Sequence, residues 1–294
     1  MRKAFVQLHI AVLLAGFTGV LGRLITLNEV MIVWYRLLIT AATVWILVLV
    51  GKQYQRISAR TAMKIAGVGF ISAAHWISFY ASIKNSNISV GVVCLSAVGF
   101  FSSFLEPVLN KKRINYTEVW LGVLSILGIY LIFHFDTRYK VGIIYGVISS
   151  FLASLFTILL KMALRRTNSQ TVITWQMTGG FVFTSIVLAF YLKLMPGERL
   201  IPTMSDTFWL FVLAWLCSVV AFQFSMSSLK KLSAFTVGLS YNLEPLYGVL
   251  MAFLIYKEGQ ELNIGFYLGV LLIGFTVIYH SVLLKRQQLQ GIKK

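Results

Sequence analysis

Long apolar stretches recur along the whole chain, and they limit its possible folds more than any other feature of the sequence. Ten such stretches are each about 18 to 23 residues long, the length that an α-helix needs to cross the hydrocarbon core of a bilayer. We place them at residues 4–22, 30–50, 62–82, 88–108, 116–134, 141–161, 171–192, 207–229, 233–255 and 263–284. The sequence therefore predicts an all-α integral membrane protein with ten transmembrane helices.

The composition agrees with a location in the lipid bilayer. Hydrophobic residues make up 58% of the chain and charged residues only 12%, whereas a soluble protein carries about a quarter charged residues. A net charge of +17 would suggest a nucleic-acid partner in a soluble protein, but here the basic residues lie in short gaps between apolar stretches. We therefore expect lipid, and no nucleic acid, around this chain. The gaps are too short for a separate catalytic domain.

The charge of the loops predicts the orientation. If the N-terminus is cytoplasmic, 18 of the 26 Lys and Arg residues lie in inside segments, seven lie outside, and Arg36 alone lies within a span. An excess of basic residues in cytoplasmic loops is typical of membrane proteins. We expect a protein of the bacterial inner membrane with both termini in the cytoplasm, and a first span that is retained because it is longer than the apolar region of a usual signal peptide. Acidic residues in the outside segments are Glu29, Asp136, Glu198, Asp206, Glu258 and Glu261.

The two halves of the chain resemble each other. The motif LGVL opens the fifth stretch at 121–124 and the tenth at 268–271, and NSNISVGVVCLS from Asn85 resembles KKLSAFTVGLS from Lys230. The offset is about 144 to 147 residues, so each half contributes five spans and the halves cross the membrane in opposite senses. Inverted repeats of this kind are typical of secondary transporters. We predict repeats at 1–138 and 139–294.

These motifs, together with LSAFTVGLSYNLEPLYG and the closing segments LGVLSILGIYLIF and LGVLLIGFTVIY, resemble the EamA-type transporters of the drug/metabolite transporter superfamily. The resemblance covers both halves of the chain. It implies a secondary carrier that usually exports amino acids or other small metabolites, with a central cavity formed by the first, third, fourth, sixth, eighth and ninth spans. The Gly-Glu pair that usually follows the fourth and ninth spans in this family is replaced here by Lys111-Lys112-Arg113 and Lys257-Glu258-Gly259.

Ionisable residues inside a span are costly and mark candidate functional sites. Glu244 is the strongest candidate because it lies near the middle of the ninth span and is followed by Pro245, which removes a backbone donor and distorts the helix. Ser240 and Tyr247 share its face at helical spacing, and Tyr241 lies beside them. An intramembrane carboxyl group can carry a proton, which suits coupling to a proton gradient. The alternative is a structural glutamate that holds helices together.

Arg36 lies about two turns inside the second span. Its guanidinium group matches the geometry of a substrate carboxylate, although its long side chain could instead extend outward to Glu29. His75 and Trp76 in the third span, and His9 in the first, offer proton relay and an aromatic wall. A membrane histidine that only bonds across a helix interface is the alternative for both histidines.

The remaining polar candidate is Gln223 in the eighth span. Glu106-Pro107 repeats the Glu-Pro dipeptide near the cytoplasmic end of the fourth span, where an ion pair with the neighbouring Lys111, Lys112 or Arg113 is the simpler expectation. Cys94 and Cys217 lie within apolar stretches and have no metal-ligand neighbours at useful spacing, so we expect no metal and no cofactor.

Three functions are thus compatible with the sequence. The first is a secondary active transporter that exports a small metabolite, an amino acid or similar, coupled to protons. The second is an exchanger of nucleotide-type metabolites, which would need several basic residues in its cavity, whereas only Arg36 lies within a span. The third, a membrane-embedded enzyme, would need a nucleophile or metal motif, and HExxH and GxSxG are both missing from the sequence.

Overall fold

The structure, a computed structural model, describes residues 2–111, 113–135, 137–194, 197, 199–229, 240–241, 243–258 and 264–291. The regular elements in these ranges are helices. They are α1 (Arg2–Leu24), α2 (Glu29–Val50), α3 (Ala59–Lys84), α4 (Ile88–Cys94), α5 (Val98–Asn110), α6 (Tyr116–Phe135), α7 (Lys140–Leu164), α8 (Ser169–Leu194), α9 (Met204–Ala214), α10 (Ala221–Leu229), α11 (Glu244–Tyr256) and α12 (Ile264–Gly291).

The helices lie where the apolar stretches predict them. Within the described ranges, seven helical segments are long and apolar enough to cross a membrane. They are α1, α2, α3, Ile88–Asn110, α7, α8 and Met204–Ser225. Shorter apolar helices at Tyr116–Leu131, Glu244–Tyr256 and Ile264–Thr276 lie in the predicted fifth, ninth and tenth spans. The chain is therefore an all-α integral membrane protein.

Several helices begin at a polar residue that caps the first turn. The Asn28 side chain accepts a hydrogen bond from the backbone N–H of Met31 at the start of α2, and Asn87 does the same for Val90 at the start of α4. Thr203 and Asp206 bond to each other's backbone N–H groups at the start of α9. Such caps satisfy N–H groups that have no partner within the helix, so short polar residues between apolar stretches fix where the spans begin.

The fourth, eighth and ninth spans are not regular α-helices. A 3₁₀ turn at Leu95–Ala97 separates α4 from α5, and a π-helical segment at Trp215–Val220 separates α9 from α10. In the ninth span, residues 230–239 and 242 lie outside the described residues, and α11 begins at Glu244 with a proline in its first turn. Glu244 therefore lies at the start of α11, next to the proline that was predicted to distort the helix. A proline is tolerated best in the first turn, where the missing N–H has no helical partner to lose.

Helix α3 packs against both α7 and α8. Glycines make its approach to α8 very close, since a Cβ atom on Gly179 would lie 2.1 Å from the carbonyl oxygen of Ala66. Small residues at helix contacts let backbones approach closely in membranes, where packing replaces the hydrophobic effect between helices. At the other interface, between α3 and α7, the fully buried Ser149 of α7 bonds to His75 of α3.

Helix α1 packs against α10 and α11, and its glycines face three different partners. A Cβ on Gly16 would meet the carbonyl oxygen of Glu244 at 3.1 Å, one on Gly19 would meet Val92 at 3.0 Å, and one on Gly22 would meet the ring of Tyr80 at 2.5 Å. These glycines therefore let α1 approach its neighbours closely. Cys94 and Cys217 are both buried and free.

Candidate functional site

The side chain of Arg36 is buried inside the helix bundle. Its residue is 5% exposed, and its guanidinium carbon lies 4.3 Å from the ring centroid of Trp76 on α3. Its Nε donates to the hydroxyl of Ser218 over 3.0 Å, and one Nη donates to the hydroxyl of Tyr80 over 3.1 Å. The side chain therefore points into the protein and does not extend outward to Glu29.

Ser218 reaches Arg36 because of the π-helical segment in the eighth span. Its hydroxyl donates to the carbonyl oxygen of Leu213, five residues earlier, over 3.1 Å, and accepts from Arg36. One extra residue in this turn rotates the following side chains relative to a regular helix, and such turns are frequent at functional sites. Tyr80 is held in turn by Gly22 of α1, whose missing side chain leaves room for the tyrosine ring.

Arg36 keeps hydrogen-bonding capacity beyond these two contacts. A guanidinium group has five N–H donors, of which two bond to Ser218 and Tyr80. Within the part of the chain that the structure describes, no carboxylate lies within 4.0 Å of it. One turn further along α2, the buried hydroxyl of Thr40 also has no hydrogen-bond partner there. The guanidinium group of Arg36 and the hydroxyl of Thr40, on the same face of α2, thus have hydrogen-bond donors available for a polar solute.

Glu244 lies near this arginine. It is partly exposed, and the charge of Arg36 acts on its carboxyl group. Among the described residues, the Glu244 carboxyl group has no ion pair and no hydrogen-bond partner. The backbone carbonyl of Glu244 packs against Gly16 of α1. The close contact of α1 with α11 therefore holds the backbone of Glu244 in place.

Two neighbours of Glu244 line the contact between α1 and the ninth span. Ser240 is 8% exposed. Tyr241 packs against Leu8 and Val12 of α1, and its hydroxyl donates to Ser225 of α10 over 3.2 Å. Both predicted residues therefore lie inside the bundle next to Glu244, where they connect α1, α10 and the ninth span.

The predicted histidines do not lie together. His75 is buried between α3 and α7, where Nδ1 lies 2.9 Å from the carbonyl oxygen of Ser149. This is the alternative of a histidine that bonds across a helix interface, although its neighbour Trp76 does contact Arg36. His9 lies on an exposed face of α1, in a groove that Tyr247 also lines, with 3.4 Å between the tyrosine hydroxyl and Nδ1.

Two further acidic and polar residues lie apart from Arg36. Gln223 is exposed on α10. Glu106 pairs with Lys161 of α7 over 3.3 Å, so the ion pair predicted for it exists with a partner other than Lys111. No group of three or more His, Cys, Asp or Glu side chains in the described ranges is placed to hold a metal ion.

The structure thus brings Arg36 and Trp76 into contact between α2, α3 and the π-helical segment, and the charge of Arg36 acts on Glu244 at the start of α11. Sequence analysis missed Ser218 and Tyr80, which orient the arginine. A fixed guanidinium group and a nearby carboxylate can bind groups of opposite charge on one solute, and the indole face can cover its apolar or cationic part.

The chain resembles known proteins in sequence and in fold. The chain is 23% identical to GDP-fucose transporter 1 of Dictyostelium discoideum over 261 residues, which cover 82% of this chain and 68% of that one. Its fold resembles a crystal structure with a TM-score of 0.65 at 12% identity, over 97% of this chain and 99% of the other. The sequence profile of the EamA-like transporter family matches twice, at residues 2–134 and 140–280. The chain belongs to the EamA-like transporter family.

Proposed function

We propose that this protein is a secondary active transporter that exports an amino acid or a similar small zwitterion across a bacterial inner membrane. The observation that carries the proposal is the buried guanidinium group of Arg36, which is held by Ser218 and Tyr80 and has N–H donors left over. A buried charge without a full set of partners is costly. A substrate carboxylate that accepts hydrogen bonds from the remaining N–H donors would offset this cost.

Glu244 supplies the second half of the recognition. The residue is partly exposed, and its carboxyl group has no partner among the described residues and lies within the electrostatic influence of Arg36. An ammonium group on the same solute as the carboxylate would lie between Glu244 and the ring of Trp76. We infer that the carboxylate of the solute binds at Arg36 and its amino group at Glu244.

The proposal includes a ten-span architecture built from two inverted repeats, divided near residue 138. Helix packing supports it. An inverted repeat would exchange the first span with the sixth, the third with the eighth and the fourth with the ninth. The contact of α3 with α7 then corresponds to that of α10 with α1, and the contact of α5 with α7 corresponds to that of α11 with α1, and all four contacts are present. Lys111 directly follows α5 and Lys257 directly follows α11, and both adopt the left-handed conformation, with φ of 51° and 53°. The two matches to the family profile fall in the two halves.

Proton coupling and direction complete the proposal. We infer that Glu244 is the proton carrier, because its carboxyl group has no partner among the described residues and the charge of Arg36 acts on it. Export follows from the resemblance to exporters of small metabolites, and the distribution of basic residues supports cytoplasmic termini.

Transport of nucleotide sugars is the second candidate, because the relative from Dictyostelium is named a GDP-fucose transporter. A nucleoside diphosphate carries several negative charges, and such groups are usually bound by more than one basic side chain. In the described transmembrane region, Arg36 is the one arginine or lysine buried in the helix bundle.

The test is flux into proteoliposomes made with purified protein. Radiolabelled amino acids and GDP-fucose are offered with and without an imposed proton gradient. Accumulation of an amino acid that requires the gradient and disappears in Arg36→Ala supports the proposal. Exchange of GDP-fucose without any amino-acid flux would favour the second candidate and refute the first.

A further inference from the structure

A buried carboxylate joins three helices at the end of the bundle that the loop charges place outside. Glu258 follows α11 and is 0% exposed. It pairs with Arg23 at the end of α1, with 2.6 Å between Nη1 and Oε1. It also accepts hydrogen bonds from the backbone N–H groups of Ile88 (3.0 Å) and Ser89 (2.9 Å) and from the Ser89 hydroxyl (2.7 Å). We call these four residues the outer cluster.

The outer cluster connects two of the three irregular spans, the fourth and the ninth. Helix α4 is the outer part of the fourth span and ends at the 3₁₀ turn Leu95–Ala97, and α11 begins only at Glu244. The two segments pack closely, since a Cβ on Gly248 would lie 2.6 Å from Val92. An interrupted helix can move its two parts relative to each other without breaking a continuous hydrogen-bond ladder. The outer part of the fourth span and α11 are therefore suited to separate.

The bonds of Glu258 favour two discrete states over a gradual opening. In the closed state the carboxylate is fully buried and accepts from four donors, three of them on α4 and one on Arg23 of α1. If α4 moved away slightly, the carboxylate would lose those three donors while it was still buried, which is unfavourable. If α4 moved far enough for water to enter, hydration would replace the lost bonds. A closed dry state and an open wet state are thus both favourable, with an unfavourable arrangement between them.

We propose that Glu258 is the latch that closes the transport pathway towards the outside, and that its bonds to Ile88 and Ser89 of α4 break each time the carrier opens outward. This inference rests on the proposed transport function. Glu258 is a positioning residue, since it holds α4 against α11 and α1 and does not contact the solute.

The experiment measures access to the contact beneath the latch. Val92→Cys is introduced into a chain in which Cys94 and Cys217 are replaced by alanine, and a membrane-impermeant maleimide is added to the outside of oriented vesicles. We expect Glu258→Gln to raise the labelling rate at least tenfold, because the gate opens more often. Ser89→Ala, which removes one donor and leaves the ion pair with Arg23, should raise it less, and it provides the test if the glutamine variant does not insert.

Two controls separate gating from general loosening. Glu106→Gln removes a partly exposed carboxylate that pairs with Lys161 and should leave the rate at Val92→Cys unchanged. Ala41→Cys, buried in the hydrophobic core on α2, replaces Val92→Cys as the reporter, and its labelling should stay slow in Glu258→Gln. An unchanged rate at Val92→Cys, or an equal rise at both reporters, would overturn the latch. Neither measurement needs a transported solute, so a failure of the flux assay contradicts the proposed function and leaves this test intact.

Discussion

Arg36→Lys tests the proposed carboxylate site while keeping its charge. In the native protein the guanidinium group bonds to Ser218 and Tyr80 through Nε and one Nη, and the other Nη group remains for the solute. A lysine has a single Nζ and cannot hold both protein hydroxyls and also form a two-point contact with a carboxylate. The solute should therefore lose one of its two charge-assisted hydrogen bonds.

The loss of one such bond corresponds to about 1.5–3 kcal/mol, or a rise in KM of about 10- to 150-fold. Because the contact holds the solute throughout binding, we expect the maximal rate to change much less than KM. The assay is the initial rate of amino-acid flux into proteoliposomes at increasing solute concentrations. Arg36→Ala, which lacks the charge as well, should show no saturable flux at accessible concentrations.

A matched control is Arg56→Lys, since Arg56 is exposed in the loop between α2 and α3 and should keep the wild-type KM. Thermal unfolding in detergent checks that each variant is folded. The cost of Arg36→Lys to folding should be about 1 kcal/mol, the usual net value of one hydrogen bond. A folded Arg36→Ala protein with wild-type KM and rate would refute the carboxylate site and leave the arginine a purely structural role.

Three further predictions concern coupling, topology and packing. Glu244→Gln keeps the shape of the side chain but cannot exchange a proton, so we expect normal insertion and loss of accumulation against a gradient, and undiminished accumulation would assign the proton to another residue. A cysteine at Asn115 should react only with a cytoplasmic reagent and one at Ser205 only with an outside reagent, and labelling of both from one side would contradict the ten-span topology. Gly179→Ala places a Cβ 2.1 Å from backbone of α3 and should lower the free energy of unfolding by about 1–3 kcal/mol. Gly67→Ala on α3, where no atom lies within 4 Å, is its control and should not destabilise, as thermal unfolding of the two variants would report.

The positions of the helices could be predicted because membrane spans are governed by two simple requirements. A span must be long enough to cross the bilayer and must satisfy its backbone internally. Short polar residues then cap the ends, as Asn28 and Asn87 do here. The interruptions at Leu95–Ala97 and Trp215–Val220 were not predicted, because apolar residues on both sides give the sequence no local signal for an altered turn.

The candidate site was predictable only in part, for a related reason. Arg36 and Glu244 stand out because a charge inside an apolar stretch is rare. Ser218 and Tyr80 do not stand out, since such residues are common in spans, and it is the π-helical segment that brings the serine to the arginine. His9 and His75 differ in environment although both lie in apolar stretches, because a helix that is apolar all round does not indicate which face is buried.

The ionisable groups of this protein differ in how completely they are satisfied, and the difference separates their roles. Glu258 has four donors, and Asp206 bonds to Thr26, Thr203 and Arg199. Arg36 and Glu244, among the described residues, are left with capacity that the protein does not fill.

A zwitterionic solute fills both groups at once, whereas a simple anion would fill Arg36 and leave Glu244 to be neutralised by a proton. The ammonium group and the proton would then compete for the same carboxylate. Under the proposed function, solute-bound Glu244 and protonated Glu244 would be alternative states. Release of the solute outside would then allow a proton to bind there, as the exchange of a solute for a proton requires.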